Sequence, residues 1–434
     1  MEQTSIWQRE GALPRFPSLE GDTAAEAVIV GGGITGILCA WYLKQAGVDT
    51  VLLEAASLCG GTTGNTTAKL TAQHGLLYDR LIRTRGPDAA RLYLEAQQGA
   101  LEEYRRLCRD IDCGFQERDA CVYSMDRRDL LEREAAALNQ LGVPAEVTET
   151  PELPVPTAGA VRFPRQAQFH PLKFLAAMAR DLRIYEQTRV LELVPGSVRT
   201  RRGTVRGENI IIATHFPVLN KHGGYFLKLY QQRSYVLALK GAPLPGGMYV
   251  DAAEGGLSLR SRGDLLLLGG GGGRPGKTEG WDVLEDFART HYPGAREVCR
   301  WAAQDCMTLD GMPYIGPYSK RTRGLFVATG FNKWGMTSAM TAARLLADLV
   351  QGRENPCAAL FSPSRRMPGL PLASNLLEAG SSLLTPTVPR CPHMGCALKY
   401  NAREHSWDCP CHGSRFETDG RLIEGPAAGG LKRH

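Results

Sequence analysis

Short apolar runs separated by glycine-rich turns open the folded part of this chain. Residues 27–30, Ala-Val-Ile-Val, lead into Gly31-x-Gly33-x-x-Gly36. A short apolar run bounded by glycines predicts a buried strand. From Ile37 the pattern changes: Ile37, Ala40, Trp41 and Leu43-Lys44 lie about a turn apart, which predicts a helix stopped at Gly47. A second apolar run, residues 50–53, ends in Glu54. Helical spacing recurs at about 88–111, 130–141 and 171–182, and strand-like runs occupy 234–239 and 265–268.

The first of these units has the parts of a dinucleotide site. Gly31 permits a tight turn, Gly33 lets backbone approach a pyrophosphate, and Gly36 lets helix and strand pack closely. The helix N-terminus offers unpaired N–H groups and a positive dipole end to the phosphates. Glu54 would accept hydrogen bonds from the adenosine ribose hydroxyls. The next stretch, residues 59–75, is small and polar (CGGTTGNTTAKLTAQHG), where a nicotinamide enzyme would continue with ordinary helix.

Composition changes little in this picture. The chain has 434 residues, 43% hydrophobic and 22% charged, with a net charge of +6. That length allows two or three domains. The basic residues are scattered, which argues against a nucleic-acid partner. No run approaches the roughly 18 apolar residues of a membrane span. The N-terminus lacks the basic-then-apolar layout of a secretory signal, and eight scattered cysteines fit a reducing compartment, so the expected location is cytoplasmic. Residues 271–278, GGGRPGKT, satisfy a phosphate-loop pattern, but Gly280 interrupts the helix that should follow, and helical spacing starts only near Trp281.

Residues 209–217 (NIIIATHFP), 308–317 (TLDGMPYIGP) and 325–350 (LFVATGFNKWGMTSAMTAARLLADLV) carry a resemblance. With the dinucleotide unit, they resemble the FAD-dependent amine and amino-acid oxidoreductases of the D-amino-acid oxidase/glycine oxidase group. The resemblance implies an α/β fold: a Rossmann-like FAD domain with a mixed α+β substrate domain inserted in it. Expected FAD segments are 1–80, 166–215 and 306–362, and expected substrate segments are 81–165 and 216–305. It also implies FAD contacts from Thr62, Thr63, Thr66, Thr67, Lys69, Ala213 and Thr214. Gly330, Lys333, Gly335, Met336 and Thr337 would lie near the flavin pyrimidine edge. A helix starting at about Thr337, with Lys333 before it, would stabilise negative charge on the reduced flavin.

The same resemblance implies an arginine that clamps a substrate carboxylate just before residues 310–316. Here Asp305 stands at the matching position. A carboxylate repels a carboxylate, so a substrate carrying a free amine is expected. Arg260 is a second candidate clamp, from the substrate sheet. His170 reads as a structural histidine before a helix, and Cys306 as a buried thiol rather than a covalent flavin attachment. No second dinucleotide unit is visible for NAD(P)H.

Residues 391–416, CPHMGCALKYNAREHSWDCPCHGSRF, hold different chemistry. They parse as Cys391-x-His393, fifteen residues, then Cys409-x-x-His412, with Cys396 and Cys411 left over. Two thiolates and two imidazoles suit a [2Fe–2S] centre with cysteine on one iron and histidine on the other. Structural zinc is the competing reading, though six candidate ligands at these spacings suit it less well. CPHMGC and CPCHGS resemble the two ligand loops of Rieske proteins. That resemblance implies Cys391, His393, Cys409 and His412 as ligands and a Cys396–Cys411 disulfide. Residues 363–390 read as a linker, and 391–434 as a short all-β module too small for a full core. Without its metal, that module is expected to be disordered or to lean on the FAD domain. An oxygenase iron would need a 2-His-1-carboxylate triad. His215 and His222 offer no acid partner, so that reading is rejected.

The whole arrangement is similar to bacterial FAD-dependent oxidoreductases with a C-terminal Rieske domain. It implies oxidation of a C–H adjacent to nitrogen in an amine or amino-acid-like small molecule. Hydride would pass to flavin, and single electrons to the cluster and an unidentified acceptor. The alternative is a redox carrier or sensor with both cofactors and no small-molecule substrate.

Overall fold

A computed structural model describes residues 3–11, 13–194, 196–218, 223–276, 280–366 and 389–431. His222, Lys277, Thr278 and most of the expected linker lie outside the described residues. A six-stranded sheet forms one layer, in the order Tyr314–Pro317, Leu325–Thr329, Asn209–Ile212, Ala27–Val30, Thr50–Leu53, Ile184–Tyr185. Its strands are parallel except at the Tyr314–Pro317 edge. Ala27 to Val30 are all buried, as expected of a strand covered on both faces. The helices Ile34–Gln45 and Gly335–Val350 pack together against this sheet.

The second layer is a nine-stranded sheet. Its longest strands are Arg296–Thr308, Leu229–Lys240 and Gly159–Gln168. Two expected domain boundaries, at 165/166 and 305/306, fall inside continuous strands of this sheet. The physical reason is that each strand runs on unbroken past the expected boundary, and the end of Arg296–Thr308 forms part of the cavity wall. The observed helices Pro87–Leu107, Arg128–Gln140 and Pro171–Ala179 match the expected ones closely. Tyr78–Arg85 is an additional helix. The helix expected near Thr337 begins at Gly335. Helix Trp281–His291 begins where the broken phosphate-loop pattern implied.

Residues 389–431 form a separate four-stranded antiparallel meander, Lys399–Asn401, Ser406–Asp408, Arg415–Glu417 and Leu422–Glu424. Its buried apolar core is Cys391, Cys396, Leu398, Cys409, Cys411, Phe416 and Ala427. Four of those seven are cysteines, so the module has little core apart from its thiols. No helix among the described residues is long and apolar enough to cross a membrane.

Candidate active site and cluster centre

A cavity of about 1130 Å³ lies between the two large sheets and is bounded by residues from Val30 to Ala427. Glycines shape its floor. Gly31 has φ +111°, and a Cβ there would lie 2.5 Å from the Ala213 carbonyl oxygen. A Cβ on Gly36 would lie 1.9 Å from the Gly31 oxygen. Two helix N-termini, at Ile34 and Gly335, open onto the space without an acidic residue in the first turn, and Thr63 Oγ1 accepts from the Ile34 amide (3.1 Å). Neither end has an acidic side chain to offset its positive dipole, which favours an anion there. Glu54 accepts from the Gly32 and Ala56 amides, both at 2.7 Å. Burial raises its carboxyl pKa. These features fit a bound dinucleotide.

All but two of the residues expected to hold FAD border this cavity; the exceptions are Gly36 and Thr337. Gly36 acts beneath the floor, at the close approach just described. Thr337 is buried and donates to the Thr71 carbonyl (3.1 Å). That bond joins it to His74, whose Nε2 donates to the same carbonyl (2.9 Å) while its Nδ1 accepts from the Tyr93 hydroxyl (2.6 Å). Burial holds His74 neutral, with a pKa of about 3. Its ring stacks on Trp334, centroids 5.0 Å apart and 11° between planes. The turn before the last helix is thus pinned from behind. Gly330, Asn332 and Lys333 all have positive φ, at +72°, +52° and +71°. Asn332 Oδ1 accepts from the Thr308 amide (2.8 Å), which holds the strained turn in place.

The expected catalytic residues separate. Asp305 and Lys333 both border the cavity. Burial raises the Asp305 pKa to about 6, opposed by the Lys333 charge. Lys333 is exposed to the cavity space but enclosed by protein, and that desolvation lowers its pKa against the pull of Asp305. Lys69, also on the wall, is lowered to about 7 by burial and by Arg260. Arg260 itself is 1% exposed and does not border the cavity. Its Nη1 donates to the Thr67 and Ala68 carbonyls at 2.7 and 2.8 Å. Through Nη1 it braces the loop below the site, and it is not placed as a substrate clamp because its side chain does not reach the cavity wall. His170 caps a helix, its Nδ1 accepting from the Lys173 amide. The Cys306 thiol sits 3.6 Å from the Thr329 hydroxyl, and burial pushes its pKa to about 12. Reading the sequence missed Asn332, His74, Trp334, Phe216 and Arg80. Arg80 lines the cavity and has no ion-pair partner among the described residues.

In the C-terminal module two tight turns face each other. Gly395 N donates to the Cys391 carbonyl and Gly413 N to the Cys409 carbonyl, both at 2.9 Å. His393 and His412 come together, ring centroids 4.8 Å apart. The sulfurs of Cys396, Cys409 and Cys411 lie within 4.8 Å of one another. The expected Cys396–Cys411 disulfide is not formed in this structure. His412 Nε2 donates to the Phe226 carbonyl (3.0 Å), while its buried Nδ1 has no hydrogen-bond partner among the described residues. One ring nitrogen fixed by a carbonyl and the other left over is the arrangement of a metal-ligating histidine.

The module docks on the rest of the chain with its histidines inward. Phe216 meets both imidazoles edge-on, at 5.9 Å to His393 and 6.3 Å to His412, and also borders the large cavity. It follows His215, a non-glycine residue at φ +66°. Gln304 Nε2 donates to the Gly413 carbonyl (2.7 Å), and Arg233 makes a two-point pair with Glu404 at 2.9 and 3.0 Å.

Fold and site together define a flavin-binding α/β oxidoreductase carrying an iron–sulfur module. The FAD dependent oxidoreductase (DAO) family model matches residues 26–349, and the Rieske [2Fe-2S] domain model matches residues 383–434. The chain belongs to the DAO family of FAD-dependent oxidoreductases, with a C-terminal Rieske [2Fe–2S] domain. It is 35% identical to YhfW of Bacillus subtilis, described as a Rieske 2Fe-2S iron-sulfur protein, over 99% of this chain and 97% of that one. It is 25% identical to the gamma-glutamylputrescine oxidoreductase of Escherichia coli, over 78% of this chain and 86% of that one. The crystal structure of glycine oxidase from Geobacillus kaustophilus superposes with a TM-score of 0.67 at 23% identity, covering 80% of this chain and 100% of that one. These relatives make the chain an oxidoreductase of the amine or amino-acid type.

Proposed function

We propose that this protein oxidises a C–H adjacent to nitrogen in an amine or amino-acid-like substrate and delivers the electrons to its own cluster. Bound FAD would supply hydride acceptance, and the [2Fe–2S] centre single-electron transfer. Thr62, Thr63, Thr66, Thr67, Ala213, Thr214 and the turn at 330–336 would hold the flavin nucleotide; Cys391, His393, Cys409 and His412 would hold the cluster. Cys396 and Cys411 are close enough to serve as a clip between the ligand loops once oxidised.

The observation that carries this reading is Phe216, one side chain in contact with the cavity and with both candidate histidine ligands. It bridges the cavity wall and the two imidazoles with a single side chain. Asp305 supports the amine preference. With a pKa of about 6 it is ionised at neutral pH and attracts an ammonium group. Glu254, also on the wall, accepts from Gln232 Nε2 (2.5 Å) and adds negative charge. The relative named for γ-glutamylputrescine, an amine, agrees with that preference.

The test is an anaerobic screen of amines and neutral amino acids on the full-length protein with both cofactors. Optical bleaching follows the flavin, and low-temperature electron paramagnetic resonance follows the cluster. An amine should bleach the flavin and raise a Rieske-type signal together. Bleaching with the cluster left oxidised would remove the electron route; a flavin that no compound bleaches would remove the enzyme reading.

A further inference from the structure

The matched FAD region ends at residue 349 and the Rieske match starts at 383, so the family boundaries keep the two cofactor sites apart. The cavity does not respect that boundary. Residues 423–427 of the cluster module form part of its wall. A neighbouring cleft of about 610 Å³ places Arg421, Leu422 and residues 428–430 opposite Thr188 and Arg189. Thr188 and Arg189 also border the large cavity, and the Thr188 amide donates to the Glu54 carbonyl (2.8 Å). The module's last loop therefore stands at the Glu54 end, where the dinucleotide's ribose is expected.

That loop is held from both sides. Gln231 Nε2, on the cavity wall, donates to the Gly425 carbonyl (3.4 Å). Within the module, the Ala427 amide donates to Ser414 Oγ (3.0 Å), two residues past His412. The Arg233–Glu404 pair fastening the module is nearly dry, with side chains 8% and 2% exposed. A Cβ on Gly413 would come within 2.8 Å of Gln231, so the docked faces fit closely. Two of the module's seven buried apolar core residues, Cys391 and Cys409, are candidate cluster ligands, so a core this small depends on the cluster.

We propose that residues 423–427 are part of the FAD site, so that loading the cluster and binding FAD are thermodynamically coupled. A folded module completes the wall; a module without its cluster loosens and opens it. This inference rests on the cofactor pair alone and is independent of the substrate reading. Coupling between two binding equilibria is reciprocal, so bound FAD must also help retain iron.

The test uses full-length protein. FAD is titrated by calorimetry into cluster-loaded protein and into protein stripped of iron by chelator and reductant. Stripping should weaken FAD about tenfold, within the usual range of such couplings. Because stripping could disturb more than the module, Ile423→Glu provides a second arm. Ile423 is exposed, lies on the cavity wall and is outside the module's core, so the cluster signal should persist while FAD weakens several-fold. The third arm is chelator competition for iron with and without FAD, which should show the same factor as the first. FAD affinity unchanged by stripping, or unchanged in Ile423→Glu with its cluster intact, would overturn the proposal. So would iron retention that ignores FAD.

Discussion

The walls of the flavin cavity are drawn from segments spread between Val30 and Ala427, whereas the candidate cluster ligands all lie between Cys391 and His412. The materials differ as much as the spans. The cavity is shaped by backbone: glycines without a Cβ, helix N-termini and a strained turn. Behind it stands a large apolar core that exists whether or not a ligand is bound. The cluster centre is made of side chains, and two of them, Cys391 and Cys409, belong to the module's small interior. A backbone site should survive loss of its cofactor as a folded, empty shape. A side-chain site should lose its cofactor and its fold in one step.

Replacing one cluster ligand should therefore have the largest effect of any single change. In Cys409→Ser, iron and inorganic sulfide should fall to background. Amide exchange of residues 389–431 should become unprotected while the strand Ala27–Val30 stays protected. A module that remained protected without iron would break the contrast, since its core would then not depend on metal.

Gly36→Ala is the matching change in the backbone site. The new Cβ would meet the Gly31 backbone oxygen at 1.9 Å, so the turn itself, and not a side-chain tip, must shift. FAD should be lost almost completely, by about two orders of magnitude in affinity, while the circular dichroism of the large sheets changes little and only the dinucleotide turn is displaced. If the variant instead failed to fold, the floor of the cavity would depend on its ligand as the cluster module does.

The same contrast governs what the sequence reveals. Gly31, Gly33, Gly36 and Glu54 were legible because close backbone approach, which bars a Cβ at Gly31 and Gly36, and a terminal acid leave a fixed spacing. Cys391, His393, Cys409 and His412 were legible because few other chemistries use those residues so densely. Phe216, His74 and Trp334 were not, since an aromatic residue carries no local mark of what it will touch across the fold. Asn332 escaped because its role is to fix a turn from a distant strand. Arg260 shows how a right residue can be given a wrong role. It shares a strand face with Ser258, which does border the cavity, but it falls beyond the edge, under the Thr67–Ala68 carbonyls. Alternation gives the face of a strand, not where the cavity ends. The strand Gln116–Ser124 was missed because its first four residues are polar or charged and wholly or partly exposed, which hides the buried second half.

The smallest expected effect, and the finest test of the cavity as a site for cations, comes from Asp305. Burial raises its pKa to about 6, above the roughly 3.9 of an unfolded aspartate. Between those values the folded state holds the proton that the unfolded state has released. This contribution to stability is full below about pH 4 and is lost as pH rises through about 6. Substrate binding should move the opposite way, because only the ionised carboxylate attracts an ammonium ion. For an amine substrate, kcat/KM should rise with pH through an ionisation near 6, while the melting temperature declines over the same interval. Asp305→Asn should remove both trends: the low-pH limb of kcat/KM disappears, KM for the amine rises by a few-fold at neutral pH, and the melting temperature becomes flatter between pH 4 and 7. A low-pH limb that persists unchanged in Asp305→Asn would assign the ionisation to another group and take away the electrostatic reason for preferring amines.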